Sequence, residues 1–174
     1  MRKSYFVIVL ILAGVVMNLA CGYRLVRKQA ASLPAGVKSL AIPLAKNLTI
    51  EAGLEDMFTQ ELIKRFRADG RVSVLEPGKA DAELRCTLSQ LTISPASFGP
   101  DGRARTDVAQ LTIECALVAP AAETVLWKSG PLAASEEFPI GDNYLLDEDV
   151  KAKALSEICL DLSESVRSLL LDAF

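Results

Sequence analysis

The sequence predicts an α+β fold, a two-layer sandwich in which a mixed sheet of four or five strands carries two amphipathic helices on one face. Three observations lead to this prediction. A short strand, an amphipathic helix and a second short strand follow one another within residues 37–75. Two long runs of alternating apolar residues come next, separated by a turn sequence. A final segment, residues 147–172, repeats apolar residues at helical spacing.

The first 20 residues have the layout of a secretory signal peptide. Arg2 and Lys3 supply positive charge, and the apolar residues 5–17 follow them. This apolar segment is shorter than the roughly 20 residues that a transmembrane helix needs. Together with the cysteine at position 21, which resembles the acylated first residue of mature bacterial lipoproteins, this divides the chain into a lipoprotein signal peptide (residues 1–20), an acylated N-terminus and tether (residues 21–36) and a single domain (residues 37–174).

Cys21 follows Ala20 and precedes Gly22, which resembles the lipobox of bacterial lipoproteins. In that class the cysteine thiol and the new amino terminus are acylated, and the absence of Asp after the cysteine implies sorting to the outer membrane. Three acyl chains anchor a protein far more strongly than one, at about 0.8 kcal/mol per buried CH₂. Asn18 stands where the class prefers Leu. The alternative is an ordinary signal peptide that leaves Cys21 as a free thiol.

Composition excludes several classes of function. The formal net charge is −3, and it falls to −5 once Arg2 and Lys3 are removed, whereas nucleic-acid binding requires a basic surface. The chain has no histidine, so Ser-His and Cys-His pairs and His-containing zinc sites are absent. The four cysteines form no CxxC pair. We therefore expect no enzymatic activity, no catalytic residues, no cofactor, no metal and no nucleic-acid partner.

The first half of the domain predicts strand, helix, strand. Residues 37–42 alternate in polarity and predict a short strand, and residues 45–49 predict a loop. Residues 51–68 carry apolar residues at helical spacing, with Thr49 as the predicted cap of this helix. Residues 72–75 predict the second strand.

Residues 82–93 and 106–119 predict a long β-hairpin around the turn sequence Gly-Pro-Asp-Gly at positions 99–102. Folding about Pro100 and Asp101 places all the apolar pairs on one face. These pairs are Leu84 with Leu117, Cys86 with Cys115 and Leu88 with Ile113. The two thiols then face each other on the core side, either as a cross-strand disulfide or as two small core residues.

The remainder predicts one more strand and one more helix. Residues 124–128 predict a strand, and residues 130–144, with two prolines and no clear period, predict a loop or an irregular edge strand. Residues 147–172 predict the second helix. Its apolar stripe comprises Val150, Ala154, Ile158, Leu162, Val166 and Leu169. Cys159 borders this stripe and is expected to be a single buried thiol.

Several segments together resemble the lipopolysaccharide-assembly lipoprotein (LptE) family. They are CGYRL (21–25), LPAGV (33–37), AIP (41–43), NLTIE (47–51), ADAEL (80–84) and VLW (125–127). The resemblance covers essentially the whole mature chain. It implies a non-enzymatic lipoprotein of the outer membrane, held by N-terminal acyl chains and facing the periplasm. Members plug a large outer-membrane β-barrel protein, support its assembly, and with it move lipopolysaccharide to the cell surface.

The hairpin tip, residues 98–105, carries the candidate contact residues Arg103 and Arg105. Guanidinium groups suit phosphates, which the transported lipid carries in its head region. The hypothesis is that the tip enters the barrel lumen and contacts lipid or barrel there. The alternative is that both arginines are solvated loop charges.

A second function fits part of the same sequence. Residues 41–66 also resemble periplasmic lipoproteins that activate cell-wall synthases, and small secretion-associated lipoproteins. A synthase activator has to reach across the periplasm. The tether from Cys21 to Val37 spans only about 20 Å as a flexible chain, which keeps the domain near the membrane and favours the barrel partner.

Overall fold

The structure, a computed structural model, describes residues 33, 36–141 and 144–172. The predicted signal peptide and the predicted lipidation site Cys21 lie outside these residues. Within them the chain forms β1 (Ser39–Ala41), β2 (Lys46–Asn47), α1 (Leu54–Asp69), β3 (Ser73–Leu75), β4 (Ala82–Phe98), β5 (Ala104–Ala119), β6 (Thr124–Pro139) and α2 (Tyr144–Asp172). The predicted α+β architecture, a mixed sheet with two helices, is confirmed.

The strands form one sheet in the order β3-β1-β4-β5-β6, and β2 also pairs with β4. β1 runs parallel to β3 and β4, whereas β4, β5 and β6 are antiparallel to one another. On its outer edge β4 pairs with β1 at Ala82–Glu83 and with β2 at Thr87–Leu88. From Ser89 onward no strand in the described part of the chain covers this edge. Half of the longest strand is therefore an open edge.

Both helices pack against each other and against the sheet. The core residues of α1 include Phe58, Leu62 and Phe66, and those of α2 include Ile158, Leu162 and Val166. They meet the apolar side of the long strands, formed by Leu84, Leu88, Leu111, Ile113 and Leu117. Each of these side chains is at most 1% exposed. Leu33, inside the predicted tether, also belongs to this core at 1% exposure.

Three local predictions differ from the structure. The predicted loop 45–49 contains β2, which is too short to leave an alternating pattern, and Leu48 N donates a hydrogen bond to Leu88 O at 3.0 Å. The cap prediction for Thr49 is wrong, because α1 begins after Gly53 with no side-chain cap. In α2, Leu169 is 45% exposed and Leu170 is buried instead, because a 3.6-residue period advances the stripe between these positions.

β6 extends through most of the segment that the sequence left open between a loop and an irregular edge strand. Its residues pair with β5 from Ala119↔Thr124 to Thr106↔Pro139. Pro131 and Pro139 are tolerated because β6 is an outer strand of the sheet, where one side of the backbone needs no donor. The edge-strand alternative is the one found.

Arg71 and Arg167 join the C-terminal ends of both helices. Asp69 accepts hydrogen bonds from Arg71 Nε and from Arg167 Nη1, each at 2.7 Å, and Arg71 Nη1 donates to Asp172 Oδ1 at 3.2 Å. The hydrogen bond from Arg71 lowers the pKa of Asp69. The pKa of Asp172 is lowered mainly by a hydrogen bond from Ser168 and to a smaller extent by one from Arg71. The cluster therefore stabilises the fold while both carboxylates are ionised.

We expect Arg71→Ala to lower the free energy of unfolding by about 1 kcal/mol at pH 7. The pKa of Asp69 lies below its ordinary value of 3.8, so the stability that its ionised form contributes is present above that pH and is lost as the pH falls through the folded-state pKa. The variant should consequently lose less stability than the wild type below about pH 4. Urea unfolding at pH 3 and pH 7 measures this difference. If the free energy of unfolding fell by the same amount between the two pH values in the wild type and in Arg71→Ala, the stabilising role of the ionised Asp69 would be contradicted.

Ser163 offers a second stability test inside α2. Its side chain is fully buried and its Oγ has no hydrogen-bond partner within the described residues. Ser163→Ala removes a desolvated hydroxyl and improves helix propensity, so the free energy of unfolding should rise by about 1 kcal/mol. A shift of the midpoint of thermal unfolding measures it. Ser165→Ala, at an exposed position of the same helix, controls for propensity alone.

Candidate functional site

The tip of the β4–β5 hairpin is built by a tight turn. Gly99 N donates to Arg103 O at 2.8 Å, and Gly102 N donates to Gly99 O at 3.0 Å. Gly102 has φ of 75°, a left-handed conformation that glycine adopts without steric cost. Pro100 and Asp101 are the central residues of this turn, and the predicted pairings of the proximal hairpin are confirmed. From Gln90 to the tip the pairs are shifted by one or two residues from the predicted register, because β-bulges interrupt the ladder.

The two candidate arginines have different surroundings. Arg105 Nη2 lies 3.0 Å from Asp101 Oδ2, so an ion pair within the tip neutralises its charge. Arg103 is exposed, and no carboxylate lies within 4.0 Å of its guanidinium in the described part of the chain. Phe98, 65% exposed, lies at the end of β4 beside them. Arg103 is therefore the available cation of the pair.

Gly99 allows the Arg105–Asp101 pair to fold over the turn. A Cβ added at Gly99 would lie 2.5 Å from Arg105 Nε and 2.7 Å from Asp101 Oδ1. Both atoms belong to exposed, flexible side chains that can move away. Gly99→Ala would thus displace the ion pair and leave the backbone of the turn in place.

A third arginine, Arg85, lies on the helix-free face of the sheet and is paired with acidic side chains. Arg85 Nη1 and Nη2 donate to the two carboxylate oxygens of Glu123 at 2.8 Å and 3.1 Å, and Arg85 Nε donates to Glu83 at 3.0 Å. This pairing raises the pKa of Arg85 and lowers that of Glu123. A shallow depression of about 310 Å³ lies here, lined in part by Arg85, Thr87, Glu114 and Lys128. Its charges largely balance.

Cys86 and Cys115 form a directly opposed pair on the core side of the hairpin. The structure joins them in a disulfide with their Cα atoms 4.1 Å apart, and they are 6% and 3% exposed. Cys159 is a buried free thiol, as predicted. Burial raises the pKa of Cys159 to about 12, and the charge of Glu61 adds to this, so it is not a nucleophile near neutral pH.

Two further properties concern the described residues alone. They contain no group of three or more His, Cys, Asp or Glu side chains that could hold a metal ion. None of the helices formed by residues 36–141 and 144–172 is long and apolar enough to cross a membrane.

Comparison with known proteins identifies one family. The model of the LptE family, described as lipopolysaccharide-assembly, matches residues 37–170. No curated protein matches. Many solved structures share the fold. An uncharacterized lipoprotein B from Nitrosomonas europaea is 19% identical, with 83% of this chain and 87% of that chain covered and a TM-score of 0.57.

Two crystal structures resemble this chain to a similar extent in identity, coverage and TM-score. A minor lipoprotein from Acinetobacter baumannii is 12% identical, with 78% of this chain and 92% of that chain covered and a TM-score of 0.55. The rare lipoprotein B from Shewanella oneidensis is 14% identical, with 78% and 95% covered and a TM-score of 0.53. At these identities the likeness concerns the fold alone.

Proposed function

Because this chain belongs to the lipopolysaccharide-assembly (LptE) family, we propose that it is a lipoprotein of the outer membrane that plugs a large β-barrel protein. Acyl chains on Cys21 hold it to the membrane, and the domain faces the periplasm. It helps the barrel to assemble and, together with it, moves lipopolysaccharide to the cell surface. This role needs no catalytic chemistry and no cofactor.

The shape of the hairpin supports insertion into a lumen. Residues 89–112, here called the distal hairpin, begin where β4 loses its edge partners. Ser89–Phe98 has no fully buried residue, whereas Ala82–Leu88 alternates buried residues with more exposed ones. The distal part of β4 is about 30 Å long. Its helix-free face carries Gln90, Thr92 and Ser94, and polar side chains of this kind suit the polar interior of a large barrel.

Arg103 is the single observation that carries the proposed lipid contact. Its guanidinium stands at the far end of the distal hairpin, exposed and without a carboxylate partner within the described residues, in an otherwise acidic chain. Lipopolysaccharide presents phosphate groups, and guanidinium–phosphate hydrogen bonds are among the stronger ones in proteins. Arg105 contributes less, because Asp101 already neutralises it.

We expect Arg103→Ala to weaken the binding of labelled lipopolysaccharide to the purified full-length protein by roughly three- to tenfold. Arg105→Ala should change the affinity less, and Gly99→Ala, which releases Arg105 from Asp101, should preserve or raise it. Arg67→Ala, at an exposed position on α1, is the matched control. Equal affinities of the Arg103 and Arg67 variants would contradict a lipid contact at the tip.

An affinity purification from detergent-solubilised envelopes tests the partner. The proposed function predicts stoichiometric recovery of a large outer-membrane β-barrel protein with the tagged chain. Recovery of a cell-wall synthase would instead support the activator alternative. The tether favours the barrel, since only 12 positions separate Cys21 from the buried Leu33, which is about 20 Å for a flexible chain.

A further inference from the structure

The connection between β1 and α1 exposes three aliphatic side chains close together in sequence. Leu44, Leu48 and Ile50 are 60%, 56% and 98% exposed. Single exposed aliphatic residues are common on protein surfaces, but several within one short segment indicate an interaction site. Residues 44–50 are here called the aliphatic segment.

Hydrogen bonds hold the aliphatic segment in one conformation. Asn47 Oδ1 accepts a hydrogen bond from Thr49 N at 2.9 Å and another from Thr49 Oγ1 at 2.8 Å. Asn47 Nδ2 donates to Glu51 O and to Glu55 Oε2, each at 2.7 Å. Because the segment is already ordered, a partner that binds it does not have to pay for ordering it.

The aliphatic segment lies where the sheet becomes narrower. On the outer side of β4, β1 pairs with Ala82–Glu83 and β2 pairs with Thr87–Leu88. Leu48 N donates to Leu88 O at 3.0 Å, and beyond this point no strand in the described part of the chain pairs with that edge. The segment therefore forms a shoulder at the base of the distal hairpin.

The shoulder faces the same end of the domain as the hairpin tip. β1 and β4 are parallel, so the chain leaves β1 at Ala41 in the direction in which β4 continues to Phe98. α1 then returns to the other end, because Ser73 at the start of β3 pairs with Ser39 at the start of β1. A partner that admits the domain from the hairpin tip therefore meets the shoulder last.

The distal hairpin and the shoulder suit different parts of an outer-membrane barrel. The distal part of β4 is about 30 Å long, and the apolar band of such a barrel is about 25 Å tall. The interior of a large barrel is polar, whereas girdles of aromatic residues mark both membrane interfaces. The aliphatic segment therefore matches the rim of a barrel and not its interior.

We propose that the aliphatic segment rests on the periplasmic rim of the barrel, where Leu48 and Ile50 contact aromatic side chains and stop further insertion. This inference rests on the proposed function and deepens it, because it assigns the surface that limits the depth of insertion. With the shoulder on the rim, Arg103 lies about 30 Å further along the barrel, near the far side of the membrane.

Photo-crosslinking from the shoulder tests this contact. A photoreactive benzoylphenylalanine is placed at position 50 of the full-length chain, and envelopes that contain the protein and its barrel are irradiated. Leu169 is the matched control position, because it is an aliphatic residue of α2 that is 45% exposed and lies at the opposite end of the domain. We expect at least roughly tenfold more covalent adduct with the barrel from position 50, and its mass spectrum should map it to the periplasmic ends of the barrel strands.

Ile50→Asp should lower the recovery of the barrel in a pull-down by roughly tenfold, because a charge replaces an aliphatic contact. Leu169→Asp should recover the normal amount. Both side chains are exposed, so both variants should keep the unfolding midpoint of the wild type.

Four outcomes would overturn the proposal. Normal recovery of the barrel together with adducts from position 50 to the barrel interior, to lipid alone or to a second copy would reject the contact with the rim and leave the proposed function intact. If the wild type recovered no barrel, the proposed function would fail with it.

Discussion

Replacing both Cys86 and Cys115 by alanine is expected to lower the free energy of unfolding by about 3 kcal/mol. The bond closes a loop with a sequence separation of 29, and it restricts the unfolded chain accordingly. The pair lies in the proximal hairpin, on the core side and close to β2. Its loss should therefore loosen the base from which the distal hairpin extends.

Urea unfolding with and without a reductant measures this effect. A reductant should destabilise the wild type to about the level of the double variant and leave the double variant unchanged. Cys159→Ala is the control, because that thiol is buried and unbonded, and its removal should not alter the response to reductant. A wild type that responds to reductant no more than the double variant does would show that the bond is not formed or not stabilising.

The proximal hairpin was predictable because two independent signals agree there. A hairpin centred on Pro100 and Asp101 predicts a register in which Leu84, Cys86 and Leu88 all fall on the apolar side, and the structure has these pairs. Beyond Leu88 the register shifts at a β-bulge between Leu88 and Gln90. The sequence carries no mark of this bulge, because Ser89 and Gln90 are both compatible with an exposed strand. The face assignment of the distal half therefore required the structure.

Short elements and long-range contacts could not be predicted from the sequence for a different reason. β2 consists of two residues whose place beside β4 depends on a contact between Leu48 N and Leu88 O, which are distant in sequence. Leu33 looks like a tether residue until the core that buries it is known. Patterns of polarity report only neighbours along the chain, so they do not reveal such contacts.

In the candidate site, too, one feature was predictable from the sequence and another required the structure. The sequence places Arg103 and Arg105 together at the tip, and the structure agrees on their position. The sequence does not distinguish the surroundings of the two arginines. They depend on the side chain of Asp101, which folds toward Arg105 over Gly99.

Replacing Cys21 by serine is expected to move essentially all of the mature protein from the membrane fraction to the soluble fraction. Without a thiol at position 21 the proposed acyl chains cannot be attached, and processed chains lose the proposed anchor. Position 21 lies outside the core formed by the described residues, so the variant should fold with an unchanged unfolding midpoint. Fractionation of envelopes and immunoblotting measure the distribution.

Under the proposed function, the anchor also strengthens the engagement of the domain with its membrane partner. With a tether that spans about 20 Å, acylation confines the domain near its partner and raises the effective concentration to the millimolar range. The Cys21→Ser variant should therefore recover much less of the barrel, whereas Cys159→Ala should recover the normal amount. A Cys21→Ser protein that has lost residues 1–20 and still stays in the membrane fraction would contradict the lipid anchor. Recovery of the barrel at wild-type level from the soluble variant would show that the contacts of the folded domain suffice without it.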